Sequence, residues 1–393
     1  MQELSVDITI FGGSIAGLWA LARLRQAGYQ AVLFEQGEIG GVQTLASQGI
    51  IHGGSKYALA GKLTDASQAI AGMPGTWGDC LSGSGELDLS GVRVLSKHQH
   101  LWSSGSLSSG LAGFFAGKLM RSRVQAVAAV ELPAPFDHAE FAGSLYQLQE
   151  PVLDVVSLIQ VLYSRLADYC WQLPPAQLRM DAGQPRVFAI ENHLRVSSQA
   201  VLLAAGAGNQ LQLRSWGRQQ PLMQQRPLHM LMLRGELPEV YAHCLGASAN
   251  PRITITSYPL AGGNVLWYLG GQLAEQGVQR DAQAQIAAGK AELEELLPWL
   301  DTASMQWSAY RVNRAEPAMA YGKRPDDCYL QHEDGLFTAW PTKLAFAPRL
   351  AGKLLDALQQ QGIEPKAPGE AAALQYLSTP VLAKPPWEQA AWN

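Results

Sequence analysis

Residues 6–35 read VDITIFGGSIAGLWALARLRQAGYQAVLFE. The β-branched and apolar run at 6–11 meets Gly12 and Gly13, apolar residues then recur at helical spacing as far as Gly28, and AVLFE at 31–35 is a second buried run. Strand, turn, helix and strand in that order make a βαβ unit with parallel strands, its helix ended by Gly28. A turn of small residues between strand and helix lets the backbone come close to a pyrophosphate, whose charge then faces the N–H groups that open the helix. Here the turn is Gly12-Gly13-Ser14-Ile15-Ala16-Gly17. In the G-x-G-x-x-G register Ser14 stands where glycine is usual, but serine is small and can itself donate to phosphate. Glu35 closes the second strand 18 residues after Gly17. An acid in that place accepts the hydrogen bonds of an adenosine ribose and disfavours a 2′-phosphate, so Glu35 and the adjoining Gln36 are the expected nucleoside contacts. A tight βα turn that binds nothing is the plain alternative.

Outward from this unit, a long loop runs from Gln36 to about Tyr57. Residues 151–169, PVLDVVSLIQVLYSRLADY, have apolar groups at helical spacing and Pro151 suited to a first turn. Strand-like runs follow at 186–196 and 199–208, then at 226–234, 252–258 and 264–270, separated by Gly, Pro and Asn turns as in an antiparallel sheet. GLFTAW at 335–340 reads as a short strand and PTKLAFAPRLAGKLLDALQQQG at 341–362 as a helix, which returns the chain to its first architecture. The segment after Pro365, rich in Pro and Ala, reads as a surface extension.

A chain of 393 residues suits two or three folding units at roughly 100–200 residues each. Apolar residues are 47% and charged ones 16%, which excludes disorder through low hydrophobicity. Lys plus Arg number 29 against 33 Asp plus Glu, with no basic run, so no nucleic-acid partner is expected. Cys80, Cys170, Cys244 and Cys328 lie far apart without a CxxC pair, which excludes a zinc site and a disulfide framework and suggests a reducing compartment. No metal is expected. The first residues lack the basic start and apolar stretch of a secretory signal, and no apolar run reaches the ~18–20 residues of a membrane-crossing helix. A cytoplasmic location is the expectation, with peripheral contact at the inner membrane face left open.

With the motifs that follow, this turn resembles the FAD-dependent oxidoreductases of the D-amino-acid oxidase superfamily, which includes FAD-linked glycerol-3-phosphate and 2-hydroxyglutarate dehydrogenases. The resemblance spans most of the chain. TLASQGIIHGGSKYAL at 44–59 looks like the segment that runs under the flavin ring, matching the glycerol-phosphate branch at Ser47, Ile51, His52, Gly53, Gly54, Lys56 and Tyr57. Two glycines permit close approach of backbone to a flat ring, and Lys56 and Tyr57 would project near its reactive edge. VLLAAGAG at 201–208 is similar to the strand end that passes the FAD diphosphate, which assigns Ala205 and Gly206 to the cofactor along with Ser47, Gln48, Gly53 and Gly54. Thr342, Lys343 and Leu344 match in part a segment opening the last helix beside the flavin pyrimidine, where a helix N-terminus and a lysine favour negative charge on reduced flavin. The Gly-Asp motif of the hydroxylase-like monooxygenases is missing, as is a second dinucleotide fingerprint for a nicotinamide domain.

The resemblance implies an α/β chain, α+β overall, with a Rossmann-like FAD-binding domain from residues 1–80, 150–215 and 325–365 and an antiparallel-sheet substrate domain from 81–149 and 216–324. Residues 366–393 are the extension. It implies hydride transfer from a small anionic hydroxy compound, a 2-hydroxy acid or a glycerol phosphate, to flavin N5, with electrons passing on to oxygen, a quinone or a carrier protein. Oxidation of an amino acid or secondary amine is the alternative within the superfamily. An FAD-binding protein without redox turnover, such as an RNA-modification partner, is the alternative outside it. Oxidising a carbinol needs a proton acceptor. His229 in RPLHMLML is the first candidate base and His52 the second, as base or covalent flavin anchor. In WSAYRVNRAEPAM at 307–319, Arg311 matches an arginine that clamps a substrate carboxylate or phosphate, while Arg314 reads as a second clamp or a surface charge.

Overall fold

The first strand is longer than its apolar run. In the computed structural model, which describes residues 1–54, 69–103, 124–180, 184, 186–246, 250–366 and 371–393, β1 spans Gln2–Phe11 and only its second half is buried throughout. Helix α1 (Ile15–Gln26) crosses to β2 (Ala31–Glu35), and Ile8–Phe11 of β1 pair in parallel with Ala31–Phe34. On the other edge of β1 lies β3 (Leu194–Leu203), parallel and in register from Gln2 opposite Leu194 to Phe11 opposite Leu203. The run at 186–196 divides into Val187–Ile190 and the start of β3, because Glu191 turns the chain with φ +50°. The finished sheet has the order Tyr329–Glu333, β8 (Leu336–Trp340), β3, β1, β2, Cys170–Gln172. The four pairings from β8 to Cys170–Gln172 all run parallel. Parallel strands covered on both faces are apolar throughout, which is why their sequence shows runs and no alternation.

Helix α2 (Val155–Ser164) is shorter than the periodicity at 151–169 suggests. The Asp154 carboxylate accepts from the Val156 and Ser157 amides and starts the helix there, while Val152–Leu153 ahead of it form a strand, so Pro151 is not in the first turn. Helix α3 (Ala347–Gln360) likewise begins after a 3-10 turn at Leu344–Phe346, with Pro348 in its first turn.

The second sheet contains β7 (Gln306–Pro317), β4 (Met223–Gly235), β6 (Val265–Gly270), β5 (Ile253–Pro259), Ala242–Leu245, Gln99–Ser103, Ser144–Leu148 and Val124–Ala126, in that order. All its pairings are antiparallel except Ala242–Leu245 with Gln99–Ser103. One face packs Leu231, Leu233, Trp267 and Trp307 under the helix Ala282–Leu296. The opposite face presents Met230, Met232, Tyr258 and Tyr268.

The segment expected as a surface extension is built into the body. Leu374 is fully buried, Pro386 is buried, the Trp387 ring packs 4.3 Å from that of Tyr258, and Asn393 exchanges two backbone hydrogen bonds with Trp307. Its prolines and alanines are apolar enough to pack, and composition alone does not separate a packed irregular segment from a solvated one. The four cysteines are buried thiols, those at 170, 244 and 328 pushed up to about 12 by burial. Among the described residues no helix is long and apolar enough to cross a membrane, and no cluster of three or more His, Cys, Asp or Glu side chains could hold a metal ion.

Candidate active site

Between the two sheets lies a cavity of about 750 Å³. Its first wall is the β1–α1 turn. Gly12 has φ +113°, and a Cβ there would sit 2.6 Å from the Ala204 and Ala205 backbone; one on Gly17 would lie 1.9 Å from the Gly12 carbonyl oxygen. Gly17 therefore serves the close packing of helix on turn, and with Ala16 it is buried beneath the cavity wall formed by Gly12–Ile15. Ser14 explains its departure from glycine: it caps α1, accepting from the Gly17 amide at 3.5 Å and donating to the Ala204 carbonyl at 3.0 Å. The Glu35 carboxylate accepts from Gly13 N–H at 2.6 Å and from Gly37 N–H at 2.8 Å, and with Gln36 it lines the cavity. Each carboxylate oxygen has two acceptor positions, so both can still take a ribose hydroxyl. Ala205, Gly206, Thr342, Lys343 and Leu344 line the same space.

The 44–54 loop joins the sheets. Gln48 donates to the Tyr268 carbonyl at 2.9 Å and the Thr254 carbonyl at 3.2 Å, and Ser47 presents a buried hydroxyl with no hydrogen-bond partner among the described residues. His52 also lines the cavity; its Nδ1 is 3.3 Å from the buried Glu150 carboxylate, and its ring stacks on His243 with centroids 5.7 Å apart. A carboxylate only accepts, so Nδ1 carries the proton. Gly53 and Gly54, expected against the flavin, do not line the cavity: Gly53 N–H is committed to Glu150 at 2.8 Å, and Gly54 is buried at φ +84°. Lys56 and Tyr57 lie outside the described residues.

Two expected catalytic groups are elsewhere. His229 and Arg311 face each other across β4 and β7, and side chains alternate between the faces of a strand, so neighbours Leu228, Met230, Tyr310 and Val312 reach the cavity while these two point away. His229 is buried and donates from Nδ1 to the Gly277 carbonyl at 3.0 Å; burial pushes its pKa down. Arg311 donates to the carbonyls of Val278 and Arg280 and is a cap on that turn. Arg314, on the cavity face, is the arginine the site holds. Its guanidinium is 3.5 Å from Glu275, and burial, reinforced by Arg226 and Arg324, lowers its pKa to about 10, so it stays cationic at neutral pH. Arg324 lines the cavity too, its buried Nε without a hydrogen-bond partner among the described residues. Arg324, Glu275, Glu150 and His243 carried no motif. Both faces of β4 and β7 mix apolar with polar residues, so hydropathy gave no sign of which face was which.

The model of the FAD dependent oxidoreductase family, DAO, matches residues 7–342. The chain belongs to this family. Over 394 residues it is 48% identical to the probable FAD-dependent oxidoreductase PA4991 of Pseudomonas aeruginosa, covering 99% of both chains. The crystal structure of that DAO-family protein is similar with a TM-score of 0.85 at 41% identity, covering 99% of each chain. Glycine oxidase from Geobacillus kaustophilus (TM-score 0.62, 14% identity, covering 94% of this chain and 98% of its own) shares the fold. So does L-α-glycerophosphate oxidase from Mycoplasma pneumoniae with FAD bound (0.62, 13%, covering 93% and 97%).

The DAO-family cofactor is FAD, and the residues here fit it. The cavity is within the ~300–1,000 Å³ of cofactor sites. Its one end is a glycine turn opening a helix beside an acid already oriented by two amides, and the Ser47 hydroxyl offers a buried group to a ligand that reaches along the loop. The chain is an FAD-dependent oxidoreductase.

Proposed function

We propose that this enzyme oxidises a small anionic hydroxy compound, a 2-hydroxy acid or a glycerol-phosphate-like substrate. What supports the reading is the pair Arg314 and Arg324 lining the cavity, two guanidiniums close enough to act on each other's charge, with the Glu275 carboxylate 3.5 Å from Arg314. Their planar forks suit a carboxylate or phosphate. FAD, when bound, supplies the two-electron acceptor. The chain's own residues do the rest. Arg314 and Arg324 hold the anion and so fix the orientation of the carbon that bears the hydroxyl. His52, its Nδ1–H committed to Glu150, presents the imidazole in the tautomer whose other nitrogen accepts a proton. Lys343 and the N–H groups that open Leu344–Phe346 favour added negative charge at their part of the wall. We assign residues 1–80, 150–215 and 325–365 to cofactor binding and 81–149 and 216–324 to the substrate, and leave oxygen, a quinone or a carrier protein as acceptor.

A second reading, oxidation of an amino acid or secondary amine, is favoured by Glu275, a cavity-lining carboxylate that suits an ammonium group, and by the position of His229 outside the cavity. An amine that binds neutral needs no base. Anaerobic mixing of the yellow protein with 2-hydroxy acids, glycerol phosphate, amino acids and uncharged alcohols separates the readings by loss of flavin absorbance. Bleaching by hydroxy anions supports the first and bleaching by amino acids the second; bleaching by uncharged alcohols alone defeats both.

A further inference from the structure

Residues 380–393 run from the loop after β2 to the second sheet, and Ala383, Lys384, Pro386 and Gln389 line the cavity on the way. At one end Ile39 donates to the Val381 carbonyl at 2.8 Å and accepts from Ala383 N–H at 3.0 Å. Ile39 is itself part of the phosphate turn's support: its side chain fills the space a Cβ on Gly13 would need, 2.4 Å away, and the next residue, Gly40, donates to the Gly13 carbonyl at 2.8 Å. Lys384 thus leaves the segment one residue past a backbone pair that rests on the turn, and it lines the cavity. At the other end Trp387 packs on Tyr258 with ring centroids 4.3 Å apart and on Tyr268 at 6.1 Å, and Asn393 pairs with Trp307 through hydrogen bonds of 3.0 and 3.1 Å.

Charge gives the segment a task. The first turn of α1 contains no basic residue, and Glu35 and Glu38 bring negative charge to that end of the cavity. A diphosphate placed there has only the N–H groups and the Ser14 hydroxyl of the turn to face. The cations lining the cavity among the described residues are Arg314, Arg324, Lys343 and Lys384. Of these, Lys384 is the one tied to the phosphate turn, and it has no ion pair among the described residues.

We propose that residues 380–393 form a cofactor-binding strap, with Lys384 as counter-charge to the FAD diphosphate and Trp387 as the latch that must lift before FAD can leave. The proposal rests on FAD occupying the cavity. Release of FAD from the holoenzyme is followed by the rise in flavin fluorescence after dilution, in Lys384→Ala, Trp387→Ala, Trp387→Phe and the parent, at low and high salt. Lys384→Ala is expected to weaken FAD binding about tenfold at low salt, with a smaller deficit at high salt because exposed charges are screened. Trp387→Ala is expected to speed release about tenfold or more, and Trp387→Phe to restore most of the slow rate, as an apolar latch requires. Hydrogen exchange of the parent before and after removal of FAD needs no variant: the amides of Ile39, Ala383 and Asn393 are expected to lose protection while those of β1 and β3 keep theirs. Unchanged release in both alanine variants, or loss of protection spread evenly over the molecule, overturns the strap while leaving FAD in place. A parent protein that takes up no FAD overturns the cofactor reading and the strap with it.

Discussion

Arg311 and Arg314 are three residues apart on β7, an odd number, and so end on opposite faces of the sheet. The resemblance singled out Arg311, but the register of β7 against β4 puts it beside His229 and over the turn at Val278–Arg280. Substitution separates the two arginines by what each holds. Arg314→Leu is expected to weaken substrate binding by about 1.5–3 kcal/mol, the range for hydrogen bonds to charged groups, seen as a higher substrate concentration for half-maximal flavin reduction. Arg311→Leu is expected to leave that concentration within about twofold and to lower thermal stability instead, since it strips two carbonyls of their donor. His229→Gln belongs with Arg311, a change in stability with flavin reduction near the parent rate. A reduction rate that collapses in Arg311→Leu or His229→Gln while Arg314→Leu binds normally would return the site to the other face of the sheet.

Among the elements, α3 ties chemistry to framework. It opens on the cavity through Thr342–Leu344, and it is clamped from behind by Asp327, whose carboxylate accepts from Arg349 at two positions 2.7 Å away and from Lys353 at 2.8 Å. Arg349 and Lys353 are four residues apart and so share a face of the helix. Burial by itself would raise the Asp327 pKa, but the hydrogen bonds from Arg349 and Lys353 outweigh it and hold the carboxyl well below the usual carboxylate range. A depressed folded-state pKa contributes stability that is complete above the unfolded value of about 4 and is lost as pH falls through the folded value. Asp327→Asn is therefore expected to cost about 1 kcal/mol of stability at pH 7 for a partly exposed pair, seen as a lower melting temperature, and to melt progressively closer to the parent as pH falls below about 4. A gap that stays constant across that range would show that packing, not charge, holds α3. The same helix marks where sequence reading stops. Its periodicity is plain, but the turn at Leu344–Phe346 and the cap at Asp154 on α2 are decided by single hydrogen bonds that shift a boundary by several residues.

At the scale of the whole molecule, what was legible depended on sequence distance. The β1–α1–β2 unit and the roles of Gly12, Ser14 and Glu35 lie within 35 residues, and their period and turn chemistry are local. The second wall of the cavity is assembled from β4, β7 and the loop after β2, separated by up to 272 residues, as in the Ala315 amide that donates to Gln43 at 3.0 Å. The motif points to Arg311, three residues from the cavity-lining Arg314, and only the fold says which face each is on. Because both sheets line one cavity, a bound FAD would tie together walls that are otherwise joined by the loop, by residues 380–393 and by β7 packing on Gly206–Gly208 and β8. A ligand that binds only the folded state stabilises it by about 2.7 kcal/mol at one hundred times its dissociation constant, and the gain rises with the logarithm of concentration. Protein stripped of FAD is expected to melt lower than the holoenzyme and to regain its melting temperature as FAD is added back. ADP, which brings the ribose for Glu35 and the diphosphate for the turn but nothing that reaches β4 and β7, is expected to raise the melting temperature less at equal saturation. FMN, without the adenosine, is expected to fall short of FAD as well. If ADP at saturation stabilised the protein as fully as FAD, the cofactor would be held by the first sheet alone, and the second would be free to move over it.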